Sequence, residues 1–307
     1  MARRTAPTLD TRLRHALASD SLDAFLAVLD SRRKTYAGTP PQADLILALE
    51  LISAHFAQNP PQRFLWAVAL ARRVEPAARQ LACGLLPGFW RDHPRPVERS
   101  LQLLTDDAQW EVREWAGGAL GQLLLDHFDA FYKRCLSWTN HPSANVRRAV
   151  CIAIRPPGRT RRPRWAEPLL DLLEPLLPDR TPYVRKNLGP FGIGSGMIRW
   201  YPEQTLARLA EWARREDAGT RWNVAMAFST AGGADRWQEA LPILMDLASD
   251  ERRIVWRAAS SALRVMGRRH PEEMVPRLQS WLSHPQRKRP AEVALSYLPT
   301  TTQGQPD

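Results

Sequence analysis

Two ten-residue stretches, HPSANVRRAV at 141–150 and DRTPYVRKNL at 179–188, carry one phrase. In each, a turn of Asp, Ser, Thr or Pro is followed by a Val-Arg pair that opens an apolar run, the pattern of a helix N-terminus. The same beat recurs at Ala78-Arg79, Val112-Arg113, Val146-Arg147 and Val184-Arg185, in degenerate form at Trp222-Asn223, and displaced at Val255-Trp256. The first members lie 34, 34, 38, 38 and 33 residues apart. Between beats there is room for two helical patterns, as in Phe128 to Trp138 followed by Val146 to Ile154. One helix pair cannot bury its own apolar stripe, so such units have to stack and share a continuous core. The expected fold is all-α, a right-handed α-solenoid of about six or more helix pairs with HEAT-like units and a basic concave face.

At 307 residues the chain exceeds the usual size of one compact core, but a solenoid grows by adding units. One continuous array is therefore expected over 9–298, with N-terminal cap helices over 9–73, core repeats over 74–270 and a C-terminal cap over 271–298. Disordered ends are expected at 1–8 and 299–307. Helical patterns run from Leu13 to Leu29, Leu45 to Phe56 and Phe64 to Arg73 before the first beat. Later ones cover Leu206 to Arg214, Trp222 to Phe228, Leu241 to Ala248, Val255 to Met266, Met274 to Leu282 and Ala291 to Tyr297.

Forty-three Lys and Arg against 32 Asp and Glu give a formal charge of +11, which favours a polyanionic partner. Nucleic acid leads, with an anionic membrane second. Residues 141–186 hold ten of the bases against Glu167, Asp171, Glu174 and Asp179. Half of those bases, Arg155, Arg159, Arg161, Arg162 and Arg164, fall in RPPGRTRRPR, whose prolines argue against a regular helix and predict a rigid basic loop. Cys83, Cys135 and Cys151 show neither CxxC spacing nor an even count, so buried thiols are expected rather than disulfides or a zinc site. No metal or organic cofactor is expected. With no stretch of 18 apolar residues, a cytoplasmic, monomeric protein off the membrane is the expectation.

Within DDAQWEVREWAGGALGQLL a helical wheel puts Val112, Trp115, Ala116, Ala119 and Leu123 on a core face. Trp110, Glu114, Gly117 and Gly121 fall opposite. Glycine inside a helix costs on the order of 1 kcal/mol relative to Ala, so Gly117, Gly118 and Gly121, on or beside that face, suggest close approach of another backbone, protein or nucleic acid. The position of Glu114, two after the Val, is Arg148 in the third beat and Lys186 in the fourth, with Arg155 further along the Arg148 face. In HEAT units an Asp in the turn pairs with the Arg after the Val. Arg113, Arg147 and Arg185 are therefore read as a structural ladder, and Arg148, Arg155 and Lys186 as phosphate ligands. In GPFGIGSGM, Pro190 and four glycines predict that the helix after the fourth beat ends early or distorts.

Three phrases, Trp110-x-x-x-Glu114, Val146-Arg-Arg148 and Tyr183-Val-Arg-Lys-x-Leu-Gly189, together with Arg162-Pro-Arg-Trp165, resemble the HEAT-like-repeat DNA glycosylases of the AlkC/AlkD type. The resemblance covers mainly residues 105–195. It implies binding of alkylated double-stranded DNA and release of N3- or N7-alkylated purines, with Glu114 and Trp110 as catalytic residues. AlkD-type members carry Asp at the Glu114 position and a Trp near Pro190, where this chain offers Phe191. An alkylated purine already bears positive charge, so the chemical difficulty lies in the oxocarbenium character gained by the deoxyribose. A carboxylate and an aromatic face stabilise such a cation without a cofactor. Two classes stay open: this glycosylase, or a non-catalytic scaffold that binds nucleic acid or a protein.

Overall fold

A computed structural model describes residues 7–32, 35–36 and 38–298; of the ends expected to be disordered, 1–8 and 299–307, residues 1–6 and 299–307 lie outside the described residues. The described residues form helices and no strand. Two compact units divide the chain, Met1–Tyr132 and Lys133–Asp307. The boundary falls within α8 (Phe128–Trp138).

In the first unit α1 (Leu9–Ala18) and α2 (Leu22–Asp30) are separate helices where the apolar pattern predicted one from Leu13 to Leu29. Asp20 adopts φ 49°, and the Ser21 side chain caps α2 by accepting the Ala24 N–H, so a capping turn overrides the periodicity. The cap at Thr8 makes this residue the structured start of α1. Next come α3 (Gln42–His55), α4 (Pro60–Ala71), α5 (Pro76–Leu85), α6 (Pro94–Thr105) and α7 (Trp110–Asp126). Three of these, α4, α5 and α6, begin on a proline, which loses nothing at a first turn where the N–H has no partner in the helix. Within this unit α4 packs on α5, α5 on α7, and α6 on α7, so each pair gives one helix to an inner row.

The second unit repeats the arrangement. Its inner helices are α9 (Ala144–Ala153), α12 (Pro182–Asn187), α15 (Ala218–Ala227) and α18 (Arg253–Arg269). Between them lie α10 (Arg155–Arg159), α11 (Ala166–Leu173), α13 (Ile198–Trp200), α14 (Pro202–Ala213), α16 (Ala231–Ala234) and α17 (Trp237–Ala248), and the chain closes with α19 (Pro271–Ser280) and α20 (Lys288–Leu295). Here α9 packs on α12, α15 on α18 and α18 on α20, with α14 on α15 and α17 on α18 flanking them. Both units are thus stacked helix pairs of an all-α solenoid, each unit sharing a core no single pair could supply.

Arginines at the beats join consecutive pairs. Arg79 reaches Asp107 at 2.6 and 3.1 Å and also donates to the carbonyls of Arg73 and Val74. Arg147 does the same toward Asp179, His141 and Pro142, and Arg113 toward the carbonyls of Asp107 and Ala108. Each receiving carboxylate also caps its own turn: Asp107 accepts the Gln109 N–H and Asp179 the Thr181 N–H, both at 2.8 Å. In the third turn His141 takes the capping role, its Nδ1 accepting the Ser143 N–H at 3.1 Å. At the fifth beat the register differs from the expected Trp222-Asn223. The buried Thr220 and the following Arg221 hold the equivalent places, Arg221 pairing with Asp250 at 2.7 Å. Asn223 is fully buried and donates to the carbonyls of Leu177 and Gly219.

After Asn187 the helix does not stop but widens into a π-helix over Leu188–Met197. A Cβ at Gly189 would lie 2.9 Å from the Asn223 carbonyl oxygen, and one at Gly194 would overlap the Ala227 carbonyl oxygen. The glycines thus let two backbones pack within the core of the unit.

Candidate nucleic-acid interface

RPPGRTRRPR is more ordered than its prolines suggest. Pro156 and Pro157 occupy the first turn of α10, where proline is tolerated, and a short 3₁₀ turn follows at Pro163–Trp165. The chain changes direction at Arg161, whose φ is 53°. Gly158 lies against the Trp200 indole, close enough that a Cβ would collide with it. This frame leaves Arg155, Arg159, Arg161, Arg162 and Arg164 exposed. Arg162 and Arg164 stack over the buried Trp165 ring at 4.5 and 5.5 Å. Among the described residues none of the five makes an ion pair, whereas Arg79, Arg147, Arg208 and Arg221 all do.

The other expected ligands separate. Lys186 is exposed on α12. Arg148 is not on an open stripe: it is only 7% exposed and lies over the Tyr183 ring at 4.7 Å, because α9 is covered on that side by α12. Arg185 leaves the ladder as well. Its guanidinium lies 4.0 Å from the Trp222 ring centre, and burial pulls it below the usual arginine range against the pull of Asp179 and Asp217.

In the first unit Trp110 begins α7 and is 53% exposed, while Glu114, one turn on, is half-buried. Glu114 and Trp115 border a cleft of about 410 Å³ whose other walls include Gln42, Pro87 and Gln122. They also border a smaller one of about 220 Å³ shared with Trp110, Glu111 and Gln80. Gly117 and Gly121 correct the wheel: both are buried, because α7 is flanked by α5 and α6 and has no single solvent face. Gly118 is the glycine that faces outward, with nothing within 4 Å of a Cβ built on it. Two site residues had no signal in the sequence. Glu111 accepts hydrogen bonds from the Thr35 and Thr39 hydroxyls, which tie the 35–39 segment to α7, and Gln80 is buried at 2% exposure with an Oε1 that meets no donor.

A half-buried carboxylate beside indoles in a water-accessible cleft is suited to stabilising a cation, and the exposed arginines to meeting phosphate. The two sets lie in different units. Among the described residues no group of three or more His, Cys, Asp or Glu could hold a metal, and no helix is long and apolar enough to cross a membrane.

No protein-family model matches the chain. Over 159 residues, 48% of its length, it is 24% identical to Uncharacterized protein YhaZ of Bacillus subtilis (strain 168), of which it spans 42%. Among solved structures it is similar to YibA of E. coli, with a TM-score of 0.40 and 16% identity over 97% of this chain and 99% of that one. A computationally designed armadillo repeat protein for modular peptide recognition gives a TM-score of 0.34 and 18% identity, over 70% of this chain and 100% of that one. The fold therefore rests on the chain's own stacked helix pairs.

Proposed function

We propose that this helical-repeat protein binds duplex DNA through Arg155, Arg159, Arg161, Arg162, Arg164 and Lys186, and acts in alkylation repair as a glycosylase of the AlkC/AlkD type. The observation that carries the reading is the five-arginine cluster left without acidic partners, in a fold that pairs its structural arginines. Unpaired guanidiniums held on a rigid frame contact phosphate at little ordering cost. In the reaction the C1′–N bond of an N3- or N7-alkylated purine breaks, and its electron pair leaves with the base, which becomes neutral. The deoxyribose carries the resulting cation, which Glu114 stabilises with Trp110 beside it. Water then adds to C1′ and its proton passes to the carboxylate and on to solvent.

The test is release of free base from duplex containing 7-methylguanine or 3-methyladenine. Wild type is expected to release it, and Glu114→Gln to bind as well while excision falls about 100-fold, the scale for losing one electrostatic stabiliser. Equal release by Glu114→Gln removes Glu114 from the chemistry. Because the arginine cluster and Glu114 lie in different units, binding without excision is the second reading. Its signature is tight, salt-sensitive DNA binding with no base released by wild type.

A further inference from the structure

Helix α18, Arg253–Arg269, contains five arginines and no acidic residue. At about 100° per residue, Arg253, Arg257, Arg264 and Arg268 fall within an arc of about 60°, a single stripe roughly 22 Å long. The opposite side is buried through Val255, Ala259, Ala262, Leu263 and Met266. Arg253, Arg257 and Arg268 are exposed, while Arg264 is half-buried over the Tyr297 ring at 5.2 Å. Among the described residues none of the four meets a carboxylate; the fifth, Arg269, lies off the stripe and pairs with Asp235 at 2.7 Å. For the helix itself the arrangement is favourable only in its last turn, where Arg268 meets the negative end of the dipole and donates to the Tyr297 carbonyl. Arg253 sits in a first turn that has no acid, where the helix dipole repels a cation, and the pairs 253/257 and 264/268 place like charges four residues apart.

We infer that this stripe is a second phosphate track, which takes the backbone of the same duplex beyond the contacts of the 155–164 cluster; the inference rests on the DNA-binding reading. Arg257 occupies the place two after the buried beat residue, as Lys186 does on α12, so the two bases share a repeat register on inner helices of one unit. Trp222 holds that place on α15, with Arg185 stacked on it. Laid along the duplex axis, a stripe of 22 Å spans six or seven base pairs, at about 3.4 Å of helix axis each.

The experiment compares wild type with Arg253→Gln/Arg257→Gln on duplexes of about 10 and 25 base pairs, titrated with salt, alongside unfolding of both proteins. The expected result is a salt slope lower by about 1 to 2 for the variant on the longer duplex, at about 0.9 per phosphate contact, with little change on the shorter one. Removing a first-turn cation should leave stability equal or slightly higher, which a structural role would not. An unchanged slope on the 25-base-pair duplex, with wild type still binding in a salt-dependent way, overturns the track and leaves the DNA-binding reading standing. Vesicles containing phosphatidylserine supply the other arm. Binding to them that is lost in the variant, with DNA binding intact, also overturns it.

Discussion

Arg147→Ala tests the claim that the beat arginines hold successive helix pairs together. The Arg147 side chain is 18% exposed and that of Asp179 is 7% exposed. Their contact is two-pronged, Nε to Oδ2 at 2.6 Å and Nη2 to Oδ1 at 3.4 Å. The same guanidinium donates to the carbonyls of His141 and Pro142, both at 2.8 Å, and to the Thr181 hydroxyl at 3.1 Å. Truncation leaves Asp179 with the Thr181 N–H and hydroxyl as donors and two turn carbonyls without the donors they had. Breaking a buried pair from one side costs about 3–5 kcal/mol, and the partial exposure of Arg147 places the expected loss near 3 kcal/mol. The control is Arg14→Ala, which breaks an i,i+4 pair with side chains 62% and 41% exposed and should leave stability nearly unchanged. Urea unfolding followed by far-UV circular dichroism and by tryptophan fluorescence measures both, and disagreement between the probes would report separate unfolding of the two units. A loss for Arg147→Ala no larger than that for Arg14→Ala would refute the ladder.

Acidification should unfold the protein along the same contacts. Burial opposes ionisation of Asp179 and Asp250, but hydrogen bonds from Arg147 and Thr181 in one case and Arg252 in the other outweigh it, so both stay below the usual carboxylate range. A depressed folded value gives stability that is present above the unfolded pKa of about 4 and lost as pH falls through the folded one, so Asp179→Asn should flatten that acid limb. Gly194→Ala should cost roughly 1–3 kcal/mol by forcing the π-helix off the Ala227 carbonyl, whereas Gly118→Ala, facing open space, should be neutral or stabilising. Burial pushes the Cys151 thiol up to about 12 and raises Cys83 and Cys135 as well, so all three should resist a thiol reagent until the protein is denatured.

The repeat was legible because its signal is local. A turn, a buried beat residue and an arginine recur at every beat but the last, where Trp256 follows Val255, and Phe128–Trp138 follows the sequence pattern residue for residue. Misreadings arise where neighbours decide. A wheel with one solvent face does not fit α7, which is flanked by α5 and α6, and this buries Gly117 and Gly121. Arg148 fails for the same reason, its open side taken by Tyr183. At the fifth beat Thr220 replaces Val, so an apolar search slid two residues to Trp222 and passed over Arg221. In the basic segment prolines point to a break, yet Pro156 and Pro157 fall in the first turn of α10, where proline is tolerated. Of the site, the exposed arginines and Trp110 could be read from charge and spacing. Glu111 and Gln80 could not, since the clefts they border form only when α5, α7 and the 35–45 segment meet.

Exposed, unpaired arginines on the second unit are the proposed ligands of duplex DNA. The most direct test is a salt titration of affinity for wild type beside Arg159→Ala/Arg161→Ala/Arg162→Ala. Log affinity should fall linearly with log salt, by about 0.9 for each phosphate neutralised, and the triple variant should lose about 2 to 3 from that slope on every sequence while unfolding at the same denaturant concentration. A wild-type affinity that barely responds to salt, or a triple variant with an unchanged slope, would contradict that assignment.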